Sequence, residues 1–80
     1  MFADGIAVGR TLRGLVTKLV PFGAFVQVVD GVEGLVHLRE LSSVPVAAPE
    51  DVVQIGDEVS VIVMDVDRER RRLTLSMRRV

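Results

Sequence analysis

Two of the three phenylalanines in the chain, Phe22 and Phe25, enclose a Gly-Ala pair in the stretch that runs from Lys18 to Val26. A small domain without Trp or Tyr would ordinarily bury such rings in its core. Here they flank small residues that let a ligand approach the backbone, and a lysine lies nearby. Proteins hold unpaired bases with aromatic rings beside a cation. The stretch therefore predicts a stacking surface, with burial of the rings as the structural alternative.

Positive charge is concentrated at one end of the chain, although the net charge is −1 and the pI is 5.7. Residues 1–67 carry ten acids against four bases, whereas residues 68–80 carry six arginines against Glu69 alone. The run is interpreted either as a contact surface for an anion or as a solvated turn and tail. The overall acidity keeps open the alternative of a module that binds another protein.

Composition excludes several classes of function. Eighty residues predict a single domain, residues 1–80 with a core of about 8–77, expected to be monomeric. The absence of Cys excludes disulfides and thiolate metal sites, and a single His cannot form a zinc site alone, so we expect no cofactor and no metal. No apolar run could span a bilayer and the first residues do not resemble a leader, so we expect a cytoplasmic location without membrane contact. The pair Asp65 and Asp67 lacks a nucleophile, and we expect no catalysis.

Short β-type runs separated by turn signals predict an all-β barrel. Pro21, Asp30-Gly31, Ile55-Gly-Asp and Asp67-Arg-Glu-Arg separate the runs. Helical turns are expected at Leu38–Ser42 and Pro49–Val53, between the third and fourth strands. The predicted strands are residues 10–20, Ala24–Val29, Glu33–His37, Glu58–Val66 and Arg71–Met77. This plan is typical of the five-stranded antiparallel OB-fold, a Greek-key barrel that binds oligonucleotides on strands 2 and 3 and the adjoining loops.

Alternation predicts which face each side chain occupies. In the second strand Phe25 is opposite in parity to Val26 and Val28, so its ring faces outwards if those valines face the core. The fourth strand is apolar on both faces, which predicts a central, covered position. In the fifth strand the expected inward residues are Leu73, Leu75 and Met77, and the expected outward residues are Arg72, Thr74 and Ser76.

Four blocks of the sequence resemble the S1 RNA-binding domain family. They are Gly14–Val26, Gly31–Leu38, Val53–Val59 and Asp65–Met77, in the family's order and spacing. The family takes its name from the large RNA-binding protein of the bacterial small ribosomal subunit, and the first block is especially similar to a repeat of that protein. The resemblance implies an OB-fold that binds single-stranded RNA with little sequence preference, in translation or RNA metabolism.

The resemblance also implies a set of contact residues. The family's usual contacts correspond to Phe22, Phe25, His37, Asp67 and Arg71, with Lys18, Arg72 and Arg39 as basic neighbours. Arg39 departs from the family's common His-Ile-Ser-Glu-Leu pattern by placing a cation beside the binding face, where it either holds phosphate or extends into solvent. An acid repels phosphate, so Asp67 is expected to accept a hydrogen bond from a base or to orient Arg71.

The expected partner is messenger or ribosome-associated RNA. The domain is expected to bind it either on the ribosome or as part of a larger parent protein. The family supplies RNA-binding appendages to ribonucleases, polynucleotide phosphorylase and transcription factors, so such a parent is an alternative.

Overall fold

The computed structural model describes residues 6–29 and 32–78, and five strands carry the fold. The strands are β1 (Thr11–Val20), β2 (Gly23–Val29), β3 (Val32–His37), β4 (Glu58–Asp67) and β5 (Arg72–Ser76). A four-residue helix α1 (Leu38–Leu41) and a 3₁₀ turn at Pro49–Asp51 lie in the connection between β3 and β4. The five predicted strands and both helical turns are present, with boundaries that differ by one or two residues.

The strands close into a barrel in the order β1-β2-β3-β5-β4, which confirms the predicted fold class. Four neighbouring pairs are antiparallel as predicted, whereas β3 pairs with β5 in parallel, which corrects the predicted all-antiparallel pairing at this one pair. A closed ring with an odd number of strands cannot alternate direction throughout, so at least one pair must be parallel. The long connection that contains α1 permits this pair, because a parallel crossover needs a dozen or more residues.

The inside of the barrel is filled mainly by Val and Leu side chains from all five strands. Val26 and Ala24 are fully buried while Phe25 is half-buried, which agrees with the parity predicted for β2. On β4 only alternate residues are fully buried, so the expectation of cover on both faces holds only in part. The buried core residues are Ile6, Val16, Ala24, Val26, Val32, Val36, Leu41, Val53, Val61, Val63, Leu73 and Leu75.

The alternation predicted for β5 is wrong at Ser76. This residue is fully buried, and its hydroxyl donates a 2.7 Å hydrogen bond to Oε1 of Glu40 in α1. The backbone N–H of Met77 also donates to the carbonyl of Glu40 at 2.9 Å. The helix therefore covers the outer face of β5 at its C-terminal end, and a position that the strand period places in solvent becomes interior.

Two other sequence predictions have different outcomes. Gly56 turns the chain into β4 with a φ of 95°, a conformation that glycine adopts at little cost. The turn predicted at Asp30-Gly31 lies outside the described residues, as do the first five residues and Arg79.

Within the described ranges, no helix combines the length and hydropathy needed to cross a membrane, and no group of three or more potential metal ligands occurs.

Candidate nucleic-acid interface

An open cleft of about 390 Å³ lies on the outer side of β2, β3 and β5. Four of the eight predicted site residues line it, and they come from the turn before β2, from β2, from the end of β3 and from the start of β5. The full lining is Phe22, Phe25, Glu33, Leu35, His37, Arg72, Leu73 and Thr74. The barrel thus brings two aromatic rings, an imidazole and a guanidinium into one concave surface.

Strand register builds the floor of this cleft. Phe25 on β2 is the Cα partner of Leu35 on β3, and Leu35 is in turn the partner of Thr74 on β5. Neighbouring strands lie about 4.8 Å apart, so these three side chains form one row across the outer face. The row gives the cleft an apolar floor beside a ring.

Phe22 lines the same cleft, and this residue is 55% exposed. Phe22 lies in the turn between β1 and β2, and its carbonyl accepts a 2.9 Å hydrogen bond from the backbone N–H of Leu38 at the start of α1. This bond fixes the turn next to the end of β3, where His37 is located. Phe22 and His37 are therefore held at the same end of the cleft.

Gly23 allows the close approach of β2 and β3 at this point. It pairs with His37, and a Cβ atom at position 23 would collide with the carbonyl oxygen of Val36. That oxygen belongs to the backbone of the neighbouring strand, so any side chain here would push the strands apart. The glycine therefore supports the positions of Phe22 and His37.

Three of the predicted cations lie in the cleft or on the surface next to it. Arg72 lines the cleft. Lys18 on β1 is the Cα partner of Phe25 and is exposed. Arg71 is exposed in the β4–β5 turn, where its backbone has a φ of 53°, but it does not line the cleft. The arrangement offers one cation within the cleft and two on neighbouring surface.

Asp67 shapes the turn that carries these arginines. Its Oδ1 accepts a 3.1 Å hydrogen bond from the backbone N–H of Arg70, and its Oδ2 lies 4.0 Å from Nε of the same arginine. Asp67 also pairs with Arg72 in the β4–β5 register. The carboxylate does not line the cleft, so its contacts in the structure are those of a residue that orders the turn.

Arg39 lies apart from the aromatic residues. It borders a second cleft of about 280 Å³ along α1 and the loop that follows, together with Arg78. The Arg78 guanidinium donates to the carbonyl of Arg39 at 3.3 Å and lies 3.7 Å from Oε2 of Glu40. Only Leu38 separates Arg39 from His37 in the chain, so the two clefts are adjacent.

Sequence reasoning missed Glu33 and Leu35 as cleft residues. Both share a face of β3 with His37, since they are four and two positions before it, and strand periodicity would have found them once His37 was assigned to that face. Thr74 was predicted on the outer face of β5 but was not included in the site. No feature of the sequence predicts the hydrogen bond that the hydroxyl of Thr17 on β1 donates to Glu33.

The family model described as the S1 RNA binding domain matches residues 6–78. The chain is 56% identical over 77 residues to small ribosomal subunit protein bS1 of Mycolicibacterium smegmatis, covering 96% of this chain and 16% of that protein. It is 47% identical over 75 residues to polyribonucleotide nucleotidyltransferase of Heliobacterium modesticaldum, covering 94% of this chain and 10% of that protein. The chain thus spans a small part of the length of these relatives.

Solved structures with the same architecture include GSP13 of Bacillus subtilis, with a TM-score of 0.87 at 38% identity, over 92% of this chain and 57% of that one. The a/eIF2alpha–aDim2p–rRNA complex of Pyrococcus horikoshii contains a chain with a TM-score of 0.88 at 29% identity, over 92% of this chain and 45% of that one. The similarity extends over nearly all of the barrel, including the strands that form the cleft.

Proposed function

The chain belongs to the S1 RNA-binding domain family, and we propose that it binds single-stranded RNA in the cleft formed by β2, β3 and β5. The observation that carries this proposal is the exposed ring of Phe22 beside Phe25 and His37. An exposed ring is costly in water, and one that stands over an apolar floor can stack on an unpaired base. Every base has a π-face, so binding of this kind has little sequence preference.

Phosphates are held by cations around the rings. Arg72 lies within the cleft, and Lys18 and Arg71 are exposed on surface next to it. Asp67 contributes by ordering the turn from which Arg71 projects. Arg39 contacts the part of the RNA that continues past His37 towards the second cleft, where Arg78 also lies.

We infer that the parent protein acts in the cytoplasm in translation or RNA metabolism, as a ribosome-associated protein similar to bS1. The 56% identity to bS1 over 96% of this chain supports this inference. Messenger or ribosome-associated RNA is then the partner. The domain (residues 1–80) is monomeric, and several such domains in series raise the overall avidity for RNA. The similarity to part of polyribonucleotide nucleotidyltransferase fits the alternative, in which the domain is an RNA-binding appendage of an enzyme. In that case too, the active site lies outside this domain.

The test is a titration of Phe22→Ala against a fluorescent single-stranded oligoribonucleotide. Since each stacked base contributes roughly 1–3 kcal/mol, we expect affinity to fall by about tenfold, and further in the double variant with Phe25→Ala. Because Phe22 is largely exposed, we expect the single variant to have the same thermal stability as the unsubstituted domain.

The matched control is Ile55→Ala, which removes a side chain of similar exposure (64%) that does not line the cleft. We expect the control to bind RNA like the parent. Equal affinity of the parent and the folded Phe22 variant would contradict the proposal, and absence of RNA binding at low salt would favour the protein-interaction alternative.

A further inference from the structure

A carboxylate lies within the cleft that is proposed to bind a polyanion. Glu33 is exposed and lines the cleft with both phenylalanines, Leu35 and Arg72. A negative charge at this position repels phosphate, so it does not serve binding of the RNA backbone. Its placement among stacking groups needs another physical reason.

Among the described residues, the Glu33 side chain has one hydrogen-bond partner, Thr17. The hydroxyl of Thr17 on β1 donates to its Oε2 and lies 3.4 Å from the carbonyl of Phe25. Within residues 6–29 and 32–78 no Lys, Arg or His forms an ion pair with Glu33, even though Arg72 borders the same cleft. Thr17 thus orients Oε2, which keeps a second lone pair, while within the described ranges no cation pairs with the carboxylate and Oε1 accepts no hydrogen bond.

A carboxylate accepts hydrogen bonds and donates none, so it discriminates among base edges. The Watson–Crick edge of guanine presents two adjacent donors, N1–H and the N2 amino group, which match the two oxygens of a carboxylate. Cytosine and adenine present one amino group each. Uracil presents N3–H between two carbonyl oxygens, and these oxygens face a carboxylate unfavourably.

We propose that Glu33 is a specificity-determining residue that favours guanine in the cleft at the position stacked on Phe22 or Phe25. The inference rests on the proposed function, since it assigns a preferred base to the same site. The preference for guanine applies to one nucleotide position. At the other positions, stacking accepts any base. A purely structural role, in which Glu33 only braces β3 against β1 through Thr17, makes different predictions.

The test compares the parent with Glu33→Gln, a variant that keeps the size of the side chain and an oxygen for Thr17. Two oligoribonucleotides are titrated, an oligouridine of about eight nucleotides, which is within the range of one OB-fold, and the same oligomer with one central guanosine. We expect the parent to bind the guanosine oligomer about tenfold more tightly, as one bidentate contact allows. In Glu33→Gln the ratio should fall towards one, while the affinity for oligouridine rises because a like charge has been removed.

Glu58→Gln is the matched control, because Glu58 is an exposed strand carboxylate outside the cleft, 3.9 Å from Nη2 of Arg13. It should leave the ratio unchanged. An unchanged ratio in Glu33→Gln, or an equal loss of affinity for both oligomers, would overturn the inference and leave a bracing role. If the parent binds both oligomers equally, the inference fails while the proposed function stands. If it binds neither, the proposed function fails as well.

Discussion

In the proposed RNA complex, the carboxylate of Asp67 supports binding without touching the ligand. It accepts the backbone N–H of Arg70 and lies near the guanidinium of that residue, so it orders the turn that precedes Arg71 and Arg72. Arg71 adopts a left-handed backbone conformation, which is unfavourable for a residue with a side chain and persists only where the surroundings hold it. Asp67 supplies part of that support.

We expect Asp67→Ala to lower the free energy of unfolding by about 1 kcal/mol, the contribution of an ordinary hydrogen bond, and to weaken RNA binding through a looser turn. Asp65→Ala is the matched control: it removes the same charge from an exposed position of the same strand. The control should change stability by less than about 0.5 kcal/mol. Chemical denaturation and RNA titration measure both effects, and identical behaviour of the two variants would show that the turn does not depend on Asp67.

At the scale of elements, a small polar cluster connects α1 to the end of β5. Glu40 accepts hydrogen bonds from the Ser76 hydroxyl and from the backbone of Met77, and its carboxylate lies near the Arg78 guanidinium. Because α1 begins directly after His37, this cluster also fixes the end of β3 and hence one side of the cleft. A helix of one turn has almost no intrinsic stability, so such tertiary contacts are what hold it.

Ser76→Ala therefore should cost roughly 1.5–3 kcal/mol in the free energy of unfolding, because it removes the partly buried hydrogen bond from this hydroxyl to the charged Glu40. Ser43→Ala, at an exposed loop position, should change stability by less than about 0.5 kcal/mol. Denaturant unfolding of both variants measures the difference. A Ser76 variant as stable as the Ser43 control would mean that the remaining contacts of α1, such as the backbone bond from Met77 to Glu40, hold the helix without the Ser76 hydroxyl.

The elements of the barrel and most of its cleft follow from local features of the sequence. Alternation locates the strands and places Phe25 outwards, whereas the parallel pairing of β3 with β5 was not predicted. Ser76 could not be assigned in this way, since its burial depends on a helix 36 residues earlier in the chain. Glu33 does follow the strand period, but its orientation is set by Thr17 on a strand that is not its neighbour in the barrel. A contact between distant segments thus overrides the period at Ser76 and adds to it at Glu33.

For the molecule as a whole, the distribution of charge sets how RNA is held. The net charge is −1, and the first 67 residues carry more acids than bases. We therefore expect the long-range attraction of RNA to be weak, and the proposed phosphate contacts are the cations near the cleft, Lys18, Arg71 and Arg72. Binding of this kind depends more on stacking than on neutralised phosphates, and several domains in series would compensate for the modest affinity of one.

The salt dependence of binding tests this view. Each phosphate neutralised on a single strand contributes about −0.7 to the slope of log K against log salt concentration, so three contacts predict a slope of about −2. Arg72→Gln, which removes the cation within the cleft, should reduce the magnitude of the slope by about 0.7. Arg13→Gln is the control, because Arg13 is exposed on β1 near Glu58 and does not line the cleft. A slope steeper than about −4, as six or more contacts would give, would mean that the remaining arginines of the C-terminal region also hold phosphates and that electrostatics rather than stacking dominates.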